Sequence, residues 1–413
     1  MALIKPFRAL RPPKSLAEKV AALPYDVMNV AEAKEMAAGN PYSFLHISRP
    51  EIDLPSEVDP YAEDVYVTGR ENMARFIAEG TLVPERDECY YVYRQKMGAI
   101  EQTGLVVCAG VDDYESGVIK KHELTRADKE EDRVKHIDYL DANDEPVFYT
   151  YRNDPVITSL VAKVADGEPV YHFTTGDGVT HTLWVVSDRA VIDELTARFA
   201  AIETLYVADG HHRSAAAGRV RELRRSANPG HTGNEEYNWF LTVIFPDSEM
   251  NIMPYNRAVK DLNGHSVAEL MARVSESFAI TPAAKGFAPS RRHEFGMYLE
   301  GRWYQLVAKP GSFAEEDTVS CLDVSILQNN LLSPLLAIRN PRTDQRISFV
   351  GGIRGTEELE RLVDGGDYRI AFSLNPTSMG ELMQLADAGQ IMPPKSTWFE
   401  PKLRSGLFVH KLS

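Results

Sequence analysis

The sequence predicts an α+β protein, and three observations carry that expectation. Strand-like and helix-like periods alternate along all 413 residues. Glycine-centred turns punctuate the strand pairs, as at Gly117 and at Gly176-Asp177-Gly178. No repeat or low-complexity tract interrupts the pattern. The chain is long for one domain, so two or three lobes are expected.

Taken in order, the first 95 or so residues are rich in proline and aromatic side chains, with helical patches at Ala31–Ala38 and Arg70–Ala78. GLVVCAGVDDYESGVIKKHELT reads as two strands around a Glu115-Ser116-Gly117 turn. RADKEEDRVKHIDYL is a charged helix, with Thr125 and Asp128 in a capping-box pattern at its start. VITSLVAKVAD is a second helix, VYHFTT and HTLWVVS form a hairpin, and RAVIDELTARFAAI is an amphipathic helix. LYVA is a short buried strand. NWFLTVIF and MNIMPYNRAV are strand-like. From about Asp261 the pattern restarts with a helix, strands and the helix LDVSILQNNLLSPLL. YRIAFSLN, a helix through Met379–Asp387 and MPPKSTWFEPKLRSGLFVHKL close the chain.

Composition narrows the function. Hydrophobic residues make up 44% and charged residues 25%, as in an ordinary soluble protein. The net charge of −15 argues against a broad nucleic-acid grip, which needs a basic surface. A local basic cluster still suits a small anion. Cys89, Cys108 and Cys321 are isolated, so neither a disulfide framework nor a thiolate zinc site is expected. The basic start MALIKPFRALRPPK lacks a signal-peptide core, and no apolar run is long enough to span a membrane. A cytoplasmic protein is expected, with neither membrane nor nucleic acid as partner.

YVADGHHRSAAAGRV, residues 206–220, carries the chemistry. A short apolar strand runs into an alanine-rich helix from Ser214, so DGHHR sits at a strand–turn–helix junction. Free N–H groups and the positive dipole end at a helix start bind anions. Gly210 permits the tight turn. His211 and His212 add donors, and Arg213 suits a bidentate grip on phosphate. Asp209 suits Mg²⁺, which takes few carboxylates and prefers phosphate oxygens. Zinc is the rival for the histidines, but neither HExxH nor CxxC is present. The bland alternative is a capped helix with surface histidines.

A second constellation, KKHELTRADKEEDR at 120–133, places Lys120, Lys121, His122 and Glu123 before the expected cap Thr125. A carboxylate among bases at such a junction suits a general base acting on a hydroxyl. The helix beyond it, Lys129 to Asp132, reads as a solvated charged face.

These motifs resemble the DUF1015 family, whose core is similar to the ParB/sulfiredoxin-like fold and to free-serine kinases. IKPFRALRPP (4–13), LPYDV (23–27), NPYSFLHISRPE (40–51), HELT, DGHHR, MPYNRAV (253–259), LDVSILQN (322–329) and MPPKSTWFEPKLRSGL (392–407) carry the resemblance along almost the whole chain. It implies a ParB/sulfiredoxin-like core over 100–260, flanked by an N-terminal segment 1–99 and a C-terminal α/β segment 261–413. It implies Mg²⁺-dependent phosphoryl transfer from ATP, ADP or pyrophosphate to the hydroxyl of free L-serine. Glu123 matches the catalytic base, with Asp209 beside it. Gly210, His211, His212, Arg213 and Ser214 match the loop that cradles donor phosphates, and Lys121, Thr125 and Arg126 add donors. His122, Arg257, Lys395, Ser396 and Thr397 are weaker candidates for reading substrate. Alternatives are a kinase of another small hydroxyl metabolite and a non-catalytic nucleotide- or phosphometabolite-binding regulator. A DNA-associated ParB relative is disfavoured by charge. A sulfiredoxin would need a reactive cysteine near DGHHR, and none is near in sequence.

Overall fold

A computed structural model describes residues 1–413. The mixed α/β architecture expected from the alternating periods is present. The chain divides into two compact units, one formed by residues 1–250 with 401–413 and the other by 251–400.

The first unit is built on a nine-stranded mixed sheet. Its order is Ile119–Lys120, Leu205–Asp209, Val147–Tyr151, Trp239–Pro246, Ile100–Gly110, Tyr90–Met97, Val179–Val186 and Tyr171–Thr174, with Ile4–Lys5 also on the Ile100–Gly110 strand. Leu205–Asp209 runs parallel to Ile119–Lys120 and antiparallel to Val147–Tyr151. The central strands read as near-continuous apolar runs because both faces are covered. Val92, Leu105, Val107, Tyr149, Val207 and Ile244 share one core with Ile157, Leu195 and Phe199 of the helices Pro155–Ala165 and Arg189–Ala201. Asp154 and Asp188 cap those two helices by accepting backbone N–H groups.

Helices Ala127–Leu140 and His211–Ala227 pack together through Val134, Ile137, Ala216 and Val220. The small alanines allow close approach. Arg219 to Glu131 (2.6 Å) and Arg224 to Asp138 (3.0 Å) lace the outer side of the pair.

Three local expectations are corrected. The segment Val111–Ser116 is a short helix ending at left-handed Gly117 (φ 81°), and the strands around it pair with different neighbours. Thr125 does not cap the charged helix: its cap is Arg126 without a side-chain bond, because the Thr125 hydroxyl donates to Glu130 (2.9 Å). MNIMPYNRAV is broken into Ile252–Met253 and Tyr255–Val259, which join different sheets.

The second unit carries a six-stranded antiparallel sheet, ordered Phe278–Pro282, Arg302–Ala308, Glu294–Leu299, Ile370–Leu374, Tyr255–Val259 and Ile347–Gly351. Helices Val267–Ser277 and Met379–Asp387 each begin with a capping box, at Ser266/Glu269 and Ser378/Glu381. The expected helix at LDVSILQNNLLSPLL is a short one, Asp323–Leu327, continued by a wider-wound turn over Gln328–Leu332. No helix of either unit is long and apolar enough to cross a membrane.

The sheet of the first unit is packed without slack at Gly104, where a Cβ would lie 2.8 Å from ring carbons of Phe245. Gly104→Ala is therefore expected to cost about 1–3 kcal/mol, since neither backbone nor a buried ring can yield freely. Urea unfolding of the two proteins checks this, and equal midpoints would refute it.

Candidate functional site

The junction at Asp209 is shaped by its strand. Register slips between Val207 and Asp209, so Val207 faces Tyr149 while Asp209 faces Phe148. Such a bulge re-aims the side chains that follow it. Gly210 then adopts φ 94°, a left-handed conformation that a side chain would strain, and becomes the cap of the His211–Ala227 helix. It supplies no side chain to bond the first turn. The helix thus begins at His211, three residues earlier than the alanine-rich stretch suggests. Its first amides and dipole form the positive end expected of an anion cradle.

The two motifs meet here. His122 and His211 pack edge to face with ring centroids 4.4 Å apart. The backbone N–H of Arg126 donates to Nε2 of His212 at 3.1 Å. That bond needs a neutral His212 ring carrying its proton on Nδ1. In sequence Glu123 falls between His122 and Arg126, half-buried on the loop that leads from the Ile119–Lys120 strand into the charged helix.

The histidines do not supply charge. Burial pulls His122 down to about 4, against the pull of Asp209. Burial, with His122 beside it, holds His211 well below its ordinary value. Burial also lowers His212, with Arg126 and Arg213 adding to it against Asp26. Neutral rings offer hydrogen bonds but add no positive charge. Nε2 of His211, a residue only 6% exposed, has no hydrogen-bond partner in the protein.

Arg213 is buried. Its guanidinium turns inward and donates to the Pro146 carbonyl. It is 7% exposed, among the carboxylates of Glu145 and Asp209 and the Tyr25 ring. A phosphate would have to displace those partners, so the bidentate grip is not presented. Ser214 is likewise structural: fully buried, its hydroxyl meets Tyr149 Oη at 2.8 Å.

Lys121 and Arg126 are exposed. Lys121 lies over the Tyr114 ring (4.4 Å), and Arg126 pairs with Asp128 (2.7 Å). Thr125 serves Glu130. Asp209 accepts from Gly210 N–H (2.8 Å) and from Lys402 Nζ (2.8 Å). Burial would raise its carboxyl, but Lys402 and Arg213 hold it well below the usual range. With both oxygens engaged and cations on either side, Asp209 is a poor magnesium ligand. No group of three or more acidic, histidine or cysteine side chains gathers as a metal site. The donor set does not fit the expected Mg²⁺.

Arg257, Lys395, Ser396 and Thr397 belong to the second unit. Arg257 Nη2 donates to the Lys395 carbonyl (2.9 Å), and the Ser396 hydroxyl donates to Pro393 (2.6 Å). Burial lowers the Arg257 guanidinium to about 10. The Arg257 and Ser396 bonds hold a loop in which Lys395 has φ 59°.

Sequence reasoning missed Lys402, although it lies inside the quoted block MPPKSTWFEPKLRSGL. It also missed Glu145, which accepts from Tyr25 N–H (2.9 Å) and the Ser405 hydroxyl (3.0 Å). Burial and Asp144 push Glu145 up to about 7, against Arg213 and Arg133. Cys108 is fully buried with its thiol pushed far up by burial, the reverse of a reactive cysteine.

Fold and junction define a mixed α/β protein with a strand–turn–helix junction at Asp209–His211. The family profile described as protein of unknown function (DUF1015) matches residues 4–325, and the chain belongs to that family. No curated protein sequence matches it. Among solved structures it is similar to a mutant free serine kinase in complex with AMP, at 13% identity, covering 72% of this chain and 87% of that one, with a TM-score of 0.35. A conserved hypothetical protein from Pyrococcus furiosus aligns at 14% identity over 74% and 95%, with a TM-score of 0.35. SbnI with a C-terminal truncation, from Staphylococcus aureus, aligns at 11% over 74% and 87%, with a TM-score of 0.39.

The buried histidines impose a pH dependence. An unfolded histidine titrates near 6.5, whereas folded His122 titrates at about 4. Between those values the unfolded chain binds more protons, so stability is full above about 6.5 and falls as pH drops towards 4. His122→Gln should lose less stability than the parent between pH 7.5 and 5 in urea titrations. An identical loss in both proteins would remove His122 from this role.

Proposed function

We propose that the chain is a small-molecule phosphotransferase, acting on the hydroxyl of free L-serine with ATP, ADP or pyrophosphate as donor, on a ParB/sulfiredoxin-like core. One observation carries the reading. The HELT loop and the DGHHR turn, 86 residues apart at their point of contact, are joined by the Arg126–His212 bond and the His122–His211 ring contact. These contacts, on either side of Glu123 in the sequence, support a reading in which it serves as the base at the uncapped helix start.

The chemistry follows from that pairing. Donor phosphates lie on the first amides of the His211–Ala227 helix, with Lys121 and Arg126 as exposed cations at the margin. Glu123 accepts the proton of the serine hydroxyl as its oxygen attacks the terminal phosphorus. The bond from phosphorus to the bridging oxygen breaks in line, and the shortened donor leaves with that electron pair. The products are O-phosphoserine and ADP, AMP or orthophosphate, according to the donor. Neutral, buried His122 and His211 exclude water and shape the turn.

The test is an end-point assay for O-phosphoserine with L-serine, Mg²⁺ and each donor in turn. Product is expected with at least one donor. Glu123→Gln is expected to lower turnover about 10²–10⁴-fold, the usual worth of a positioned base, while donor binding persists. Full activity in Glu123→Gln removes it as the base. Donor binding without product from any of the three would favour a phosphometabolite-binding regulator.

A further inference from the structure

Residues 401–413 fold with the first unit although the second unit intervenes in the chain. The anchoring of that return is specific. Gln95 and Gln102, each fully buried, donate their side-chain amides to the carbonyls of Lys402 (2.7 Å) and Pro401 (3.2 Å). Two residues on, Arg404 is 3% exposed at its side chain, donates to His181 Nε2 (3.2 Å) and pairs with Asp177. Ser405 exchanges backbone bonds with Ala22 (2.9 and 3.2 Å). The backbone of Lys402 is therefore held on both sides by buried polar groups, which is how a functional side chain is preorganised.

What this framework presents is an ammonium. Lys402 Nζ lies 2.8 Å from Asp209, the residue immediately before the helix cap. The Lys402 side chain is 10% exposed and that of Asp209 26%, so the pair borders solvent. Arg213, which the motif offers as the phosphate cation, is turned inward on Pro146. Beside it His211 is buried with an unpartnered ring nitrogen. The cradle at Gly210 thus takes its anchored positive charge from outside the DGHHR motif.

We infer that Lys402 binds the diphosphate moiety shared by ATP, ADP and pyrophosphate, with Asp209 holding its ammonium over the start of the His211–Ala227 helix. This rests on the phosphotransfer reading of the same site. A compact ammonium with three donors can serve a carboxylate and a phosphate oxygen together.

The rival is that Lys402 only neutralises Asp209, and a double-variant cycle separates the two. The full-length chain would be titrated calorimetrically with inorganic pyrophosphate, and separately with ADP to ask whether the adenosine matters. Lys402→Met should weaken pyrophosphate binding about tenfold or more, the order expected for losing one charge-assisted bond. Asp209→Asn combined with Lys402→Met should remain weaker than Asp209→Asn alone by a similar factor, and Lys402→Arg should recover part of the loss. Equal binding by the double variant and by Asp209→Asn would overturn the inference, as would absence of binding of both ligands to the parent protein. If Lys402→Met alone does not fold, the double variant, which buries no unpaired charge, carries the comparison. The O-phosphoserine assay fails independently. No product with Lys402-dependent pyrophosphate binding removes the kinase reading and keeps this one, and product with unchanged binding in Lys402→Met does the reverse.

Discussion

A guanidinium taken out of water must be answered by charge and by hydrogen bonds, and the Arg213 side chain makes that demand at the centre of the first unit. Its answers come from distant places: the Pro146 carbonyl, the Glu145 carboxylate, Asp26 and Tyr25 near the N-terminus, and Asp209 beside it. Arg133 adds a second buried cation, 3.9 Å over the Tyr25 ring and paired with Asp132 (2.9 Å). Each partner is tied onward. Glu145 receives Tyr25 and Ser405, and Asp144 receives His136 (2.9 Å). Removing one member would strand an opposite charge, so the network acts as a single fastening for the helix that begins at His211. The strongest cation in the motif is structural, and its position under Gly210 holds the left-handed turn: a Cβ there would lie 3.0 Å from Arg213 Nε.

This arrangement separates shape from charge at the anion cradle. The buried rings of His122 and His211 give the turn its form but stay neutral. Positive potential comes from backbone amides and from lysine and arginine side chains at the margin. In a chain of net charge −15 such a local field is confined.

Much of this was legible in the sequence, and the exceptions share a cause. The strand Leu205–Asp209, the capped helix after Asp154 and the hairpin at Gly176–Gly178 follow from local periodicity and turn chemistry. The DGHHR junction was legible because an apolar run stops at an acid and a glycine. Thr125 misled because its hydroxyl had a competing acceptor one helical turn on, in Glu130. Val111–Ser116 misled because a six-residue helix has too few positions to show a period. Arg213 was read outward because nothing local reveals a buried carbonyl 67 residues upstream. Lys402 was invisible for the same reason on a longer scale, since its partner stands 193 residues earlier. Local rules report what a residue prefers, whereas these two side chains are placed by contacts that exist only after folding.

The return of residues 401–413 to the first unit also sets an order of events during synthesis. A ribosome releases the Asp209 turn, then the whole of 251–400, and only afterwards Lys402 and the segment that closes on Gln95, Gln102 and Glu145. Until then Glu145 lacks the Ser405 hydroxyl, and the Gln95 amide lacks the Lys402 carbonyl. While 251–400 is being made, the nascent first unit is without these contacts. A prematurely terminated chain would carry every residue of DGHHR and HELT, but without Lys402 beside Asp209 and without the Ser405 hydroxyl on Glu145.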